Sequence, residues 1–340
     1  MTLSEPMGAD AVVAHDAALM RGEGVVAVAV GLRTVDGLQT GERCLKVYVR
    51  QKLPVRRLGK RRLLPRALSV AGRDVPVDVE DAGGPVGPPA KTDWPPPASE
   101  AAALRAIARP AFGGVSIAHY QSPVGTLTAG VVGVLAPATS GVLGCNHVLG
   151  RLGLARYGDA ILQPSPEDDG SFPDSTLAFF VRAPRLFFAP GVWNRLDAAF
   201  GYAGPGSVLV GASWLGALRG VRQVDDLDLG QPVWKLGRTT GVTAGRVVGL
   251  SASVVVDYGG VGFPGRVAWF RNQVLTTEMS AYGDSGALLF DATGGALGML
   301  FCSSAAFTAY NPLADVEDIL GVRVAARIHR GSENPSTIST

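Results

Sequence analysis

The chain has 340 residues, of which 47% are hydrophobic and 18% are charged, and its net charge is +2. This length suits one large domain with a smaller one, or two domains of moderate size. A net charge so close to zero gives no reason to expect an anionic partner. The 45 glycines and the low proportion of charged residues favour β-structure with tight turns over a helical protein.

Residues 1–82 predict a small α/β domain. Apolar residues recur at roughly helical spacing over residues 8–20, which predicts a short helix. The apolar run 24–32 and the alternating run 44–50 predict a hairpin, and residues 75–81 predict a third strand.

A basic stretch lies within this predicted domain, at residues 50–66. It contains eight lysines and arginines and no acidic residue, so it has the charge to bind nucleic acid or anionic lipid. It lacks the aromatic residues that stack on bases, and Pro54 and Pro65 interrupt any long helix. We therefore expect a solvated surface or a protein-docking face, and not a nucleic-acid site.

Residues 83–111 predict a linker. Proline and glycine dominate the segment 83–97, GGPVGPPAKTDWPPP, and prevent regular structure there. A serine before a helix-forming run predicts a short helix over 99–108.

Residues 112–328 predict a domain of short strands. Short apolar runs alternate with turn residues, which is typical of a barrel or sandwich. Residues 110–150 contain no Lys, Arg, Asp or Glu, but prolines and glycines interrupt them too often for a membrane span. An apolar stripe predicts a helix over 311–320, and we expect the tail 329–340 to be disordered.

The cysteines and the N-terminal segment indicate the compartment. Three cysteines, Cys44, Cys145 and Cys302, are too few for a disulfide scaffold. We expect buried free thiols, with a bridge between Cys145 and Cys302 as the alternative. The first residues lack a basic start followed by an apolar run, so we expect no signal peptide and a soluble, cytoplasmic protein that binds no membrane.

The segment 282–290, YGDSGALLF, has the strongest chemical signal in the sequence. A nucleophilic serine needs a fixed tight turn and backbone N–H groups directed at the developing oxyanion. Gly283 and Gly286 on either side of Ser285 suit such a turn, because glycine lets the backbone bend and approach a substrate closely. Ala287 stands where the G-x-S-x-G elbow needs its second glycine, which argues against an α/β-hydrolase.

The serine needs a base, and the chain has only four histidines. His15 falls in the predicted helix, His119 in a strand region and His329 near the tail. His147 follows an apolar run and has small neighbours, so we predict His147 as the base.

The base in turn needs an acid that fixes its tautomer. Asp197 stands before a small apolar run, as expected for a carboxylate held at a barrel edge. Asp174 and the cluster Asp225, Asp226 and Asp228 are alternatives, although turn or surface roles suit them better.

His147 in CNHVL, Asp197 in LDAAF and Ser285 in GDSG resemble the three catalytic motifs of the chymotrypsin-like (trypsin-like) serine peptidases, in the same order. The segment 233–247, VWKLGRTTGVTAGRV, is similar to the strand and glycine turn that open the second barrel in bacterial members. The resemblance covers residues 112–324 and extends more loosely to residues 24–82. It implies a chymotrypsin-like double β-barrel preceded by a small α/β domain.

The resemblance also implies the chemistry. Ser285 would attack a carbonyl carbon, His147 would take the serine proton, and Asp197 would orient the imidazole. The N–H groups of Gly283 and Ser285 would form the oxyanion hole. No metal and no cofactor is expected, and the substrate would be a protein or peptide.

Specificity and activation follow from the same resemblance. Met279, six residues before the serine, would lie at the base of the primary specificity pocket, with residues 300–304 as its wall. An apolar base predicts cleavage after small or apolar residues. In secreted family members a freed N-terminus often pairs with the aspartate beside the serine, here Asp284. This chain has a long N-terminal region and no evident activation cleavage site, so it is either active without processing or activated by cleavage within 83–111.

Two other functions stay open. An esterase would use the same triad, since peptides and esters share acyl-transfer chemistry. A latent or non-catalytic scaffold would keep the peptidase fold and bind a regulatory protein partner through the N-terminal domain. An intact triad favours an enzyme over a scaffold.

Overall fold

A computed structural model describes residues 9–59, 63–90, 98–134 and 139–324. The α-helices in these ranges are Ala9–Leu19 (α1), Ala98–Arg105 (α2) and Leu313–Leu320 (α3). The strands, in chain order, are Val25–Val35 (β1), Leu38–Val49 (β2), Ala67–Val70 (β3), Arg73–Asp81 (β4), Ala111–Gly113 (β5), Ala118–His119 (β6), Ala129–Gly133 (β7), Ser140–Gly144 (β8), Ala160–Leu162 (β9), Thr176–Arg182 (β10), Trp193–Asn194 (β11), Ala199–Ala203 (β12), Val208–Ser213 (β13), Gly216–Ala217 (β14), Gly220–Val221 (β15), Pro232–Gly237 (β16), Gly241–Asp257 (β17), Val267–Thr276 (β18), Leu288–Phe290 (β19), Gly295–Ser303 (β20), Thr308–Pro312 (β21) and Val322–Arg323 (β22).

The strands form two curled sheets. The first has the order β14-β13-β7-β8-β12-β10-β9-β6, with β5 paired to β13 and β22 to β7. The second has the order β11-β18-β21-β20-β19-β16-β17-β1-β2-β4-β3, with β15 paired to β20 and β17 also paired to β18. The predicted mainly β double barrel is confirmed.

Alternation of side chains explains why both sheets curl around apolar interiors, since every second residue of a strand faces the core. The largest hydrophobic cluster joins the two sheets. It includes Val131 and Leu143 from the first and Phe270 and Phe301 from the second, all fully buried. The two sheets therefore share one hydrophobic core.

The strands of the N-terminal region continue the second sheet. β1 pairs antiparallel with β17, with Ala27 opposite Val254, and β2 pairs with β1 and β4. The helix, hairpin and third strand expected in residues 8–81 correspond to α1, β1 with β2, and β4. The domain boundary at residue 82 stays a prediction, because this sheet runs across it.

Two other expectations can be placed. The helix expected over 99–108 corresponds to α2, and the one over 311–320 begins at Leu313 because Thr308–Pro312 forms a strand. The tail 329–340 lies outside the described residues, as do residues 60–62 of the basic stretch. Within the described ranges, no helix has the length and apolar character needed to cross a membrane.

A buried ion pair fastens α1 to the second sheet. Asp16 is fully buried and accepts hydrogen bonds from Arg271 Nε and Nη2, both 2.7 Å long, and from Ser253 Oγ at 2.6 Å. Arg271 itself keeps 29% of its side chain exposed. The helix is thereby fixed to β17 and β18.

We expect Asp16→Ala to lower the free energy of unfolding by about 3 kcal/mol, the lower end of the range for breaking a buried pair, because water reaches Arg271. Asp10→Ala, an exposed change on the same helix, should cost less than about 1 kcal/mol. Denaturant unfolding monitored by tryptophan fluorescence measures both. Equal midpoints for the two variants would contradict the prediction.

Candidate active site

Ser285 sits on a tight turn between β18 and β19. Gly283 and Gly286 have φ angles of +97° and +99°, in the left-handed region that glycine adopts without strain. A side chain at Gly286 would also collide with the backbone of Thr126. The glycines on either side of the serine therefore have the steric role that the sequence predicted.

Both barrels hold this turn. Thr126 from the first barrel donates its Oγ1 proton to the Gly283 carbonyl at 2.8 Å, and its amide donates to the Ser285 carbonyl at 2.7 Å. From the second barrel, the Gly286 amide donates to the Leu300 carbonyl at 2.8 Å. The serine is consequently fixed at the junction of the two sheets.

His147 lies on a single wide helical turn, Asn146–Gly150, which begins where β8 ends. Its amide donates to Asp197 Oδ1 at 3.0 Å and its Nδ1 contacts Asp197 Oδ2 at 2.7 Å. Two contacts to one carboxylate fix both the backbone and the ring of the histidine. The structure therefore brings together the histidine and the aspartate that the sequence selected.

Asp197 is fully buried and has two further partners. Tyr258 donates its hydroxyl proton to Asp197 Oδ2 at 2.7 Å, and Asn311 Oδ1 accepts the Asp197 amide at 3.0 Å. Burial raises the pKa of the Asp197 carboxyl, but attraction to the His147 imidazole and the hydrogen bonds it accepts outweigh burial, so its pKa lies below the ordinary value. The carboxylate is thus held ionised. Sequence reasoning missed Tyr258 and Asn311, and no local pattern marks either residue.

His147 and Ser285 line one cleft of about 180 Å³, together with Arg151, Tyr282 and Gly283. His147 Nε2 is buried and has no hydrogen-bond partner within the described ranges. The amides of Gly283 and Ser285 likewise have no acceptor among the residues described. One cleft thus combines a basic nitrogen, a hydroxyl and two N–H donors.

The other candidate residues lie elsewhere. His15 bonds to the Ser69 carbonyl, and His119 pairs with Asp159 at 3.1 Å. Neither histidine lines the cleft, and His329 lies outside the described residues. The aspartates weighed against Asp197 are exposed or partly exposed, at Asp174, Asp225, Asp226 and Asp228.

Met279 packs into the core of the second barrel. It is 1% exposed and belongs to a cluster with Val233, Val247 and Leu289. It does not appear among the residues that line the cleft with Ser285. Its place at the base of a specificity pocket stays a prediction.

All three cysteines are free and buried. Cys145 donates its Sγ proton to the Leu300 carbonyl at 3.0 Å. One ligand atom each from Cys145, His147 and Asp197 lie within 4.8 Å of one another, which is close enough for a metal ion. Burial raises the pKa of the Cys145 thiol, however, which opposes the thiolate that a metal prefers.

Asp284, next to the serine, has a cationic partner inside the barrel. Lys235 Nζ lies 3.1 Å from Asp284 Oδ2, and both side chains are completely buried. The carboxylate also accepts hydrogen bonds from the amides of Thr239 and Thr240 and from Thr240 Oγ1. Burial lowers the pKa of Lys235, while Asp284 opposes that shift. The partner that sequence reasoning sought at a freed N-terminus is therefore a side chain of β16.

We expect Lys235→Met to cost about 3–5 kcal/mol of unfolding free energy, because the Asp284 charge would stay buried without its cation. The turn bearing Ser285 should loosen as well, so activity should fall. The double variant Lys235→Met with Asp284→Asn should recover part of the stability, since no unpaired charge remains. Chemical denaturation measures each form.

Arg33→Met, which removes an exposed pair with Glu42, is the control and should change the stability little. If the Lys235 variant were as stable as this control, the buried pair would not support the turn.

Comparisons with known proteins give fold similarity at low identity. Scans against family models and curated proteins returned no match. Among solved structures, Thermobifida fusca Protease A is 14% identical with a TM-score of 0.45, and the alignment covers 63% of this chain and 98% of that one. Nocardiopsis protease, at 16% identity and a TM-score of 0.44, has the same coverage. So does Cellulomonas bogoriensis chymotrypsin, at 20% identity and a TM-score of 0.43.

Proposed function

We propose that the chain is a serine endopeptidase that hydrolyses peptide bonds through an acyl-enzyme intermediate, with Ser285, His147 and Asp197 as its triad. One observation supports this most strongly. A buried His147–Asp197 pair leaves Nε2 without a partner in the same cleft as Ser285. A histidine whose other nitrogen is fixed by a carboxylate is oriented to act as a general base.

The chemistry proceeds in two halves. Ser285 Oγ attacks the substrate carbonyl while its proton passes to His147 Nε2, and that proton then goes to the leaving amine as the C–N bond breaks. Water, deprotonated by the same nitrogen, next hydrolyses the acyl-enzyme and restores the serine. The amides of Gly283 and Ser285 stabilise the oxyanion in both halves. Asp197 stabilises the imidazolium throughout.

The proposed substrate is an extended protein or peptide segment. Apolar residues, including Val124, Val148, Val261 and Phe263, contribute to the cleft beside Ser285. An apolar lining suits small or apolar side chains, which agrees with the preference inferred from Met279. Cleavage of a peptide library should therefore occur after such residues and not after Lys or Arg.

Labelling with a fluorophosphonate tests the proposal. An activated Ser285 Oγ attacks phosphorus, fluoride leaves, and His147 takes the serine proton, so a stable phosphonyl adduct forms. Tandem mass spectrometry should place the adduct on Ser285 and on no other serine. Labelling of the wild-type chain at a residue other than Ser285 would contradict the proposal. So would a complete absence of labelling in the wild-type chain and all its variants.

An esterase and a scaffold remain the rival functions. The esterase would label equally well, so hydrolysis of matched peptide and ester substrates separates it from a peptidase. A scaffold that binds a regulatory partner through the N-terminal strands would not label. The His147–Asp197 geometry favours an enzyme over that scaffold.

A further inference from the structure

Residues 86–90, in the segment expected to be an irregular linker, are docked against the second barrel. Gly87 forms an antiparallel bridge with Ser303, in which each amide donates to the other's carbonyl, at 3.1 and 2.7 Å. The Val86 carbonyl accepts a hydrogen bond from the Asp257 amide at 2.9 Å. Val86 is 1% exposed, so its side chain anchors the segment.

The docked segment uses the edge of β20 that also holds the nucleophile turn. β19 pairs with β20 only as far as Met299, and Leu300 then bonds to Gly286 and Ala287 beside Ser285. β21 takes the opposite edge of β20. Gly87 therefore pairs with Ser303 on the same edge of β20 that carries β19. Ser303 lies three residues beyond Leu300, or about 10 Å along the strand.

The residues after Gly87 run into the cleft. Pro88 and Pro89 line it together with His147 and Ser285, and Pro89 is buried. Beyond them, the Ala90 carbonyl accepts a hydrogen bond from the Tyr282 amide at 2.9 Å, one residue before Gly283. The segment thus contacts both β20 and the turn that bears the serine.

We propose that residues 86–90 occupy the peptide-binding edge of the cleft in the intact chain, so that a substrate must displace them. This inference rests on the proposed peptidase function. An extended peptide that adds to a free strand edge gains main-chain hydrogen bonds, and here the chain supplies such a peptide itself. The contact is autoinhibitory, and displacement of residues 86–90 from the cleft relieves it.

The sequence of the segment suits an occupant that is not cut. Gly87 is the last residue before the cleft with an N–H group, because Pro88 and Pro89 cannot donate hydrogen bonds. The strand ladder therefore ends at Gly87. A proline pair also has restricted φ angles, which limits how its carbonyls can turn towards Ser285.

Val86→Asp tests the inference, because a charge at a buried position ejects the segment. Pro85→Asp introduces the same charge at the neighbouring exposed position and is the matched control. A second variant, Gly87→Ala, tests the inference independently of whether Val86→Asp folds. Its added methyl group would lie 2.8 Å from the Asp257 carbonyl oxygen only when the segment is docked. Gly260→Ala, which meets open space nearby, is its control.

Two measurements are made on the full-length forms: the rate of fluorophosphonate labelling at Ser285, and hydrogen exchange at the Ser303 amide, which donates to Gly87. We expect Val86→Asp and Gly87→Ala to speed up exchange of the Ser303 amide and to raise the labelling rate by about tenfold. A tenfold increase corresponds to a wild-type chain in which about one molecule in ten has the segment displaced. The controls should match the wild type.

Faster Ser303 exchange with an unchanged labelling rate would overturn the inference and leave the proposed function intact. So would a Ser303 amide that exchanges freely in the wild type. Absence of labelling in every form, with Ser303 exchange accelerated as expected, would instead overturn the proposed function and with it the blocking role.

Discussion

Replacing Ser285 by alanine should lower kcat/KM for an apolar peptide substrate by about 10⁵-fold, because the substitution removes the nucleophile of a group that acts as a unit. The Ser285 hydroxyl makes no hydrogen bond within the described ranges. The turn is held by the backbone and by Thr126 instead. The variant should therefore unfold at the same denaturant concentration as the wild type.

A matched serine makes this loss specific. Ser207 lies on a turn of the first barrel and donates no side-chain hydrogen bond within the described residues, so Ser207→Ala should retain full activity. Substrate turnover is compared at equal concentrations of folded protein. Residual hydrolysis by Ser285→Ala above a few per cent of the wild-type rate would mean that another group is the nucleophile.

The sequence predicted the candidate triad because its members are chemically distinctive and locally marked. Histidine is scarce in this chain, and glycines on both sides of a serine require a particular backbone. Such signals depend on a few neighbouring residues. They could therefore be recognised before any contact between distant segments was known.

The supporting residues could not be predicted, because their roles depend on which distant strands meet. Tyr258 bonds to Asp197 from 61 positions away, and Asn311 from 114. Lys235 is one basic residue among 31, and only the fold shows that it is buried against Asp284. Alternation of apolar residues identifies a strand but not its partner.

Two segments show the same limit. The strands at 25–49 were expected, but the pairing of β1 with β17 joins them to the second barrel's sheet. Proline and glycine at 83–97 predicted an absence of regular structure, and residues 83–90 contain a single bridge but no strand or helix. They gave no indication that Gly87 would pair with Ser303, because a single bridge needs only one N–H and one carbonyl in the right place.

Asp197→Asn should lower kcat by about 10⁴-fold, the loss seen when the acid of a Ser-His-Asp triad becomes its amide. Asp197 Oδ2 accepts from both His147 Nδ1 and Tyr258. An amide nitrogen in that place would be a donor, so His147 would turn its unprotonated nitrogen to the asparagine and carry its proton on Nε2. That tautomer cannot take a proton from Ser285.

The chain contains its own control for this change. Asp159→Asn alters a second His–Asp pair, with His119, that lies outside the cleft, so it should leave kcat within about twofold.

The pH dependence of stability gives a further check, since folding holds the pKa of Asp197 below 3.8. The stabilisation from its charge is then present above about pH 4 and is lost as the pH falls through the folded-state pKa. The difference in unfolding free energy between wild type and Asp197→Asn should therefore shrink as the pH falls from about 4 through the folded-state pKa of Asp197. A pH-independent difference would show that the carboxylate is not held ionised by His147 and Tyr258.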